Sequence, residues 1–496
     1  MKKLPGLFLL CLRLSASAQP TEPPVSFVVT MHNPEEHRFQ VTMHLDKLPA
    51  DSIDLCLPAW TPGYYQLMSY ARNLGDFAVT DRGVRWIKPD SATWRLYARK
   101  GTPLTINYTI KAEKRFVANP YLGADHAYIL PGGVFLYPAG RLAKPVRVHV
   151  IPAPGWEIAT GLARHGDSYD ARDFDQLYDA PILAGKLETL PAFTVRGVPH
   201  VFVGLDLGDF DKTAFIHDLQ RIVEAGVAMM GDIPYDHYVF LAIGDGNGGI
   251  EHANSCSLSF SGKHLNTEAG RRRMLSFIAH EYFHLYNVKS IRPVELGPFD
   301  YQRENRTNLL WVSEGFTVYY EYLLNKRAGL ITPDQLLRSL EKNIAAYENT
   351  TGHLYQSLTE ASYATWSYGP FGGSLERSIS YYDKGPALAL LLDLAIRHET
   401  ANRHSLDDVM VMLYQKFYQQ KKRGFSDAEF RQACETIAGA PLDEVFSYAT
   451  TTRDIDYNKY LAYAGLTLEH QEKEFHIHPL PTADSLQTVI RDSWMR

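Results

Sequence analysis

Two hydrophobic patterns divide the chain. Over residues 25–199 apolar and polar positions alternate in short runs, as in Phe39-Gln40-Val41-Thr42-Met43-His44-Leu45 and Leu104-Thr105-Ile106-Asn107-Tyr108-Thr109-Ile110, with Gly, Pro, Asp and Asn between them. A period of two sends successive side chains to opposite faces of a strand, so many such runs predict an all-β domain of sandwich type. Beyond about Leu205 the period lengthens. Phe215, Leu219, Ile222, Val223 and Val227 recur at helical spacing within 212–230, and 334–347, 405–417, 426–437, 441–448 and a run opening at Pro386 read the same way. Proline suits a first helical turn, which is why Pro386 is taken as a helix start. One strand is expected over 238–243. The polar and aromatic residues 349–378 show no clear period and predict a long loop walling a cleft. The expected architecture is α+β and multidomain: an N-terminal β-sandwich over 19–204, a mainly α-helical domain over 205–452 and a C-terminal tail over 453–496.

The chemistry concentrates in Ser276-Phe277-Ile278-Ala279-His280-Glu281-Tyr282-Phe283-His284-Leu285-Tyr286. Residues four apart share a helix face, so His280 and His284 can hold one metal ion between them. Glu281, one step round the same turn, can take a proton from a metal-bound water. A catalytic zinc commonly has two histidines, one glutamate and an open position, and Glu314, in the apolar helical run 310–320, is the expected third ligand. Glu295, Asp300 and Glu304 are rivals, but they lie in a polar segment broken by Pro293 and Pro298.

Upstream, Gly244-Asp245-Gly246-Asn247-Gly248-Gly249-Ile250-Glu251-His252 is a glycine-rich approach to a carboxylate, suited to letting a backbone come close to a bound chain. A phosphate loop is the rival reading, but no Gly-Lys-Ser/Thr follows. Leu57-Pro58-Ala59-Trp60-Thr61-Pro62-Gly63-Tyr64-Tyr65 is expected to be a rigid loop packed by its aromatics rather than a substrate contact.

The run 280–330, with Asn287-Val288-Lys289, Ile291-Arg292-Pro293 and Arg303-Glu304-Asn305, resembles the glycyl aminopeptidase family, metallopeptidase family sixty-one. It is more distantly similar to the alanyl aminopeptidases. The aromatic loop at 57–65 and Phe174-Asp175-Gln176-Leu177-Tyr178-Asp179-Ala180-Pro181 extend the resemblance over most of the chain. It implies a thermolysin-like catalytic domain with one zinc ion and peptide substrates with a free amino terminus, glycine or alanine first. It further implies that Glu251, behind Gly248 and Gly249, binds that amine. Tyr382, in Ser380-Tyr381-Tyr382-Asp383-Lys384-Gly385, matches the relatives' oxyanion-stabilising tyrosine, with Tyr381 the close alternative. Residues 454–466 resemble the family's lead-in to a PDZ domain. Only about 30 residues follow, below the ~40 at which domains begin to fold unaided, so a missing or curtailed module is expected. An endopeptidase of the same fold, or a decayed peptide-binding protein, is the alternative.

Bulk properties add exclusions. A net charge of −6 gives no footprint for nucleic acid. Lys2 and Lys3, the apolar run 4–12 and Ala16-Ser17-Ala18 read as an export signal over 1–18, so a periplasmic or extracellular address is expected, and no run reaches the length of a membrane span. Without Cys11 in that segment, Cys56, Cys256 and Cys434 make no disulfide framework.

Overall fold

The structure is a computed structural model describing residues 25–370, 373 and 376–496. The export-type segment 1–18 and Phe371 lie outside the described residues.

The alternating runs become sheets wrapped around one apolar core. A seven-stranded sheet places Val25–Thr30 between Arg38–Leu45 and Val146–Ile151, antiparallel to the first and parallel to the second, with Phe27 opposite both Met43 and Val148. Two four-stranded sheets complete the domain, one centred on Ser52–Cys56 and Thr93–Tyr97, the other on His126–Ile129 and Ile182–Gly185. The short helix α1, Phe174–Tyr178, is capped by Asp173 and plugs one end through Phe174, Leu177 and Tyr178.

The domain change comes earlier than residue 204. Val198–Gly204 pairs in parallel with Tyr238–Ala242, Phe202 facing Phe240, and Glu188–Thr189 and Phe193–Val195 pair with Val198–Gly204. These strands belong to the sheet of the second domain, which therefore begins near 187. An apolar strand looks the same whichever sheet it joins, and the partner lies far along the chain.

That mixed sheet ends in Ser255–Leu258 and the antiparallel edge strand Gly249–Glu251. Helices follow: α2 Lys212–Met230, α3 Glu268–Phe283, α4 Phe316–Arg327, α5 Pro333–Glu348, α6 Leu358–Tyr368, α7 Tyr381–Glu399, α8 Leu406–Leu413, α9 Asp427–Ala438 and α10 Asp443–Thr450. Two differ from expectation. The stretch taken for a loop contains α6, started by Ser357 and Glu360 in reciprocal capping hydrogen bonds. Helix α7 starts five residues before Pro386, which sits inside it. Proline has no N–H for the carbonyl four residues back, that of Tyr382, and the Asn343 side-chain amide of α5 donates to that carbonyl instead, at 3.2 Å.

The tail docks on the catalytic domain. Helix α11 Tyr457–Ala462, the hairpin Leu466–Gln471/Glu474–Pro479 and helix α12 Ser485–Trp494 cover α5 and α7. The Trp494 indole donates to the Tyr319 hydroxyl (2.7 Å), which donates to the buried carboxylate of Asp393 (2.7 Å). The Ile477 amide donates to Glu341 on α5 at 2.8 Å. No helix among the described residues is long and apolar enough to cross a membrane.

Candidate metal centre and cleft

Thr267 caps α3 by accepting from the Gly270 amide, and the helix buries Leu275, Ile278, Ala279, Tyr282 and Phe283. With that face anchored, His280 and the cap residue His284 are turned toward the chain that follows Leu310. Trp311–Gly315 there forms one π-helical turn, a wider coil common at functional sites, which carries Glu314. Nε2 of His280 and Nε2 of His284 are 3.0 Å apart, and Glu314 Oε2 lies 3.7 and 3.3 Å from them. Ligand bonds of about 2.0–2.1 Å at tetrahedral angles would put ligand atoms about 3.3 Å apart, so the three groups fit a zinc ion. The rivals are engaged elsewhere: Glu295 accepts from Thr307, Glu304 pairs with Arg306, and the Asp300 carboxylate accepts from the Gln302 amide.

The surrounding groups fix which nitrogen is offered. His284 Nδ1 donates to the Asn287 carbonyl at 2.9 Å, and His280 Nδ1 lies 3.3 Å from Glu321 Oε2. Each Nδ1 is thereby committed and each Nε2 is left for a metal. Glu321 also accepts from Ser276. The Asn287 amide donates to the carbonyls of Val312 (2.8 Å) and Ser313 (3.0 Å), tying the end of α3 to the turn that holds Glu314. Burial works to raise the Glu314 carboxyl, but His284 and His280 override it and hold it well below the carboxylate range.

Glu281 is 6% exposed and lines a cavity of about 1490 Å³ together with Gly248, Gly249, His280 and Tyr382. Burial pushes its carboxyl up to about 7, against the pull of His280 and His284. A Cβ on Gly249 would stand 2.4 Å from that carboxyl, so a larger residue there would push the Glu281 side chain from its place. The Tyr382 hydroxyl donates to Glu314 Oε2 at 2.9 Å, whereas Tyr381 is buried with its hydroxyl 3.0 Å from that of Thr365. Tyr382 reaches the centre because α7 crosses the π-turn closely: a Cβ on Gly315 would lie 2.5 Å from Gly385 Cα.

Glu251 stands behind the cavity wall: a Cβ on Gly63, which lines the cavity, would lie 2.8 Å from its carboxylate. It is 3% exposed, no ion pair reaches it, and its Oε1 has no hydrogen-bond partner among the described residues. Its neighbour His252 sits with Asp179, which also accepts from the Ala253 amide and pairs with Lys289 at 2.6 Å. Asp179 thus brings the β-rich domain to the loop after Glu251.

The aromatic loop has a larger part than expected. The Trp60 indole donates to the Asp300 carbonyl at 2.9 Å and packs edge-on to Trp366, driving the loop between the domains. Gly63, Tyr64, Tyr65 and Gln66 then line the cavity, and Tyr65 is buried near Glu314 and Glu251. Glu321 was also missed, although it lies seven residues after Glu314 and thus on the same helical face.

Two family models match, the Peptidase M61 N-terminal domain over residues 26–186 and the M61 glycyl aminopeptidase over residues 273–388, between them more than half of the chain. The chain belongs to the M61 glycyl aminopeptidase family. This makes it a peptidase. An aminopeptidase N family protein from Idiomarina loihiensis superposes with a TM-score of 0.84 at 25% identity, over 90% of this chain and 79% of that one. An M1 zinc metallopeptidase from Deinococcus radiodurans, solved with a Tyr-Ser-Ala substrate, shares the fold at a TM-score of 0.53 and 16% identity, over 87% and 94% of the two chains. No curated protein matches.

Proposed function

We propose that this protein is a zinc-dependent aminopeptidase that removes the first residue, glycine or alanine, from peptides with a free amino terminus. The observation that carries the reading is the buried Glu251 carboxylate, whose Oε1 has no hydrogen-bond partner among the described residues and which stands directly behind Gly63, in the wall of the cavity that His280 and Glu281 also line. A buried carboxylate without a counter-charge is costly, and a substrate ammonium supplies both the charge and the missing donors.

His280, His284 and Glu314 would hold one zinc ion, which when bound supplies a Lewis acid for the scissile carbonyl and lowers the pKa of water. Glu281 takes the proton of the attacking water on its carboxylate and returns it to the departing amine. Tyr382, within hydrogen-bonding distance of Glu314, turns its hydroxyl to the carbonyl oxygen as negative charge gathers there. The edge strand Gly249–Glu251 offers free backbone groups along which an extended peptide can pair, its amine at Glu251. The signal-like segment 1–18 supports a periplasmic or extracellular site of action.

The test is product analysis by mass spectrometry on short peptides, free and amino-acetylated, with zinc-loaded protein. Release of the first residue from free peptides alone, abolished in Glu281→Gln with zinc retained, is expected. Internal cuts, or equal cleavage of the acetylated series, would make the enzyme an endopeptidase and remove the role given to Glu251.

A further inference from the structure

Beyond Glu281, the same cavity carries four basic side chains beside the carboxylates of Glu321 and Asp383. His264, Arg272 and Arg273 near the start of α3 and Lys342 on α5 all line it. Arg272 is engaged by Glu268 at 3.5 Å, whereas Arg273 and Lys342 are exposed and have no ion pair among the described residues. The cavity therefore has the buried Glu251 carboxylate behind one stretch of its wall, at Gly63, and on another stretch two cations without an ion pair among the described residues.

The elements between them set the span. Arg273 precedes His280 by seven residues, within 20° of two full turns, so it projects on the same side of α3 about 10 Å away along the axis. A peptide laid antiparallel on the edge strand with its amine at Glu251 runs back past Gly249, Gly248 and Asn247, which line the cavity with Phe277 and Arg273. At about 3.4 Å per extended residue, the stretch from His280 to Arg273 holds two to three residues beyond the cut bond. The free carboxylate of a tri- or tetrapeptide ends there.

We propose that Arg273 and Lys342 form a carboxylate-reading subsite, so that the preferred substrates are short peptides of three or four residues gripped at both charged termini. This rests on the aminopeptidase reading, which fixes the direction of the peptide. Two exposed cations in a cleft favour the free acid over its uncharged amide by about fivefold at low salt, and the preference fades as salt screens it.

The experiment measures the affinity of Ala-Ala-Ala and of its C-terminal amide by calorimetry, using zinc-loaded Glu281→Gln protein with and without the double change Arg273→Ala/Lys342→Ala. The expected result is about fivefold tighter binding of the acid, equal binding of acid and amide after the double change, and an amide affinity that stays the same in both proteins, showing an intact cleft. Equal binding at the outset, a preference that survives the double change, or parallel loss of acid and amide affinity overturns the subsite. Alanyl-anilide turnover by the unaltered protein, run alongside, reports on the parent reading separately: turnover without an acid preference removes only the subsite, and absent turnover removes the aminopeptidase reading and with it the peptide direction on which the subsite rests.

Discussion

The two walls of the cleft are built on opposite terms. On the metal side, the three ligand groups are already held: His280 and His284 have acceptors for their Nδ1 atoms, and Glu314 takes the Tyr382 hydroxyl. On the opposite side, Oε1 of Glu251 and Nε2 of the adjacent His252 are buried with no hydrogen-bond partner among the described residues. A metal site must be held rigid before its ion arrives, because ligand spacing decides affinity. A substrate site gains by leaving polar atoms unmatched, since the substrate then brings the missing partners.

Substitutions on each wall separate these roles, the largest effect first. Glu281→Gln keeps the shape of its side chain but cannot take a proton, and alanyl-anilide turnover should fall by about 10³-fold with zinc content unchanged by metal analysis. Loss of zinc together with activity would move Glu281 from catalysis to metal retention.

Asp179→Asn should break the brace behind the substrate wall. It leaves Lys289, whose side chain is 10% exposed, without its carboxylate, at a cost of about 3 kcal/mol in denaturant unfolding. Burial would raise Asp179, but Lys289 and His252 hold it at about 2 against an ordinary 3.8. A depressed carboxyl stabilises the fold above its unfolded value and loses that contribution as pH falls, so the wild type should lose stability between about pH 4 and pH 2 and the variant should not share that step.

Tyr382→Phe removes a donor placed at the centre, and kcat should drop by about 10²-fold while KM holds. An unchanged kcat would return the role to another donor. Glu321→Gln should weaken zinc by about 10-fold in a competition titration, because the orienting partner of His280 becomes neutral.

The metal wall was largely legible in the sequence, and the substrate wall was not. His280, Glu281 and His284 lie within five residues, and Glu314 stands in the next apolar helical run, so local period is enough to name them. The loop at 57–65 is positioned by Trp60 contacting Asp300, some 240 residues on, and no local pattern carries that pairing. Helix α6 is hard to read from the sequence because Tyr363 and Tyr368 are exposed while Trp366 is buried, which blurs the period, although Ser357 and Glu360 form its capping box. The place of Pro386 is equally non-local: its tolerance inside α7 depends on Asn343 from another helix.

The most direct test of the account is the ratio of kcat/KM for a free and an amino-acetylated alanyl peptide, measured for the wild type and for Glu251→Gln at equal zinc content. The account predicts a preference of at least about 10²-fold for the free amine in the wild type, collapsing toward parity in the variant mainly through loss on the free substrate. Equal ratios in the two proteins would contradict it, leaving Glu251 a buried charge with no substrate to meet.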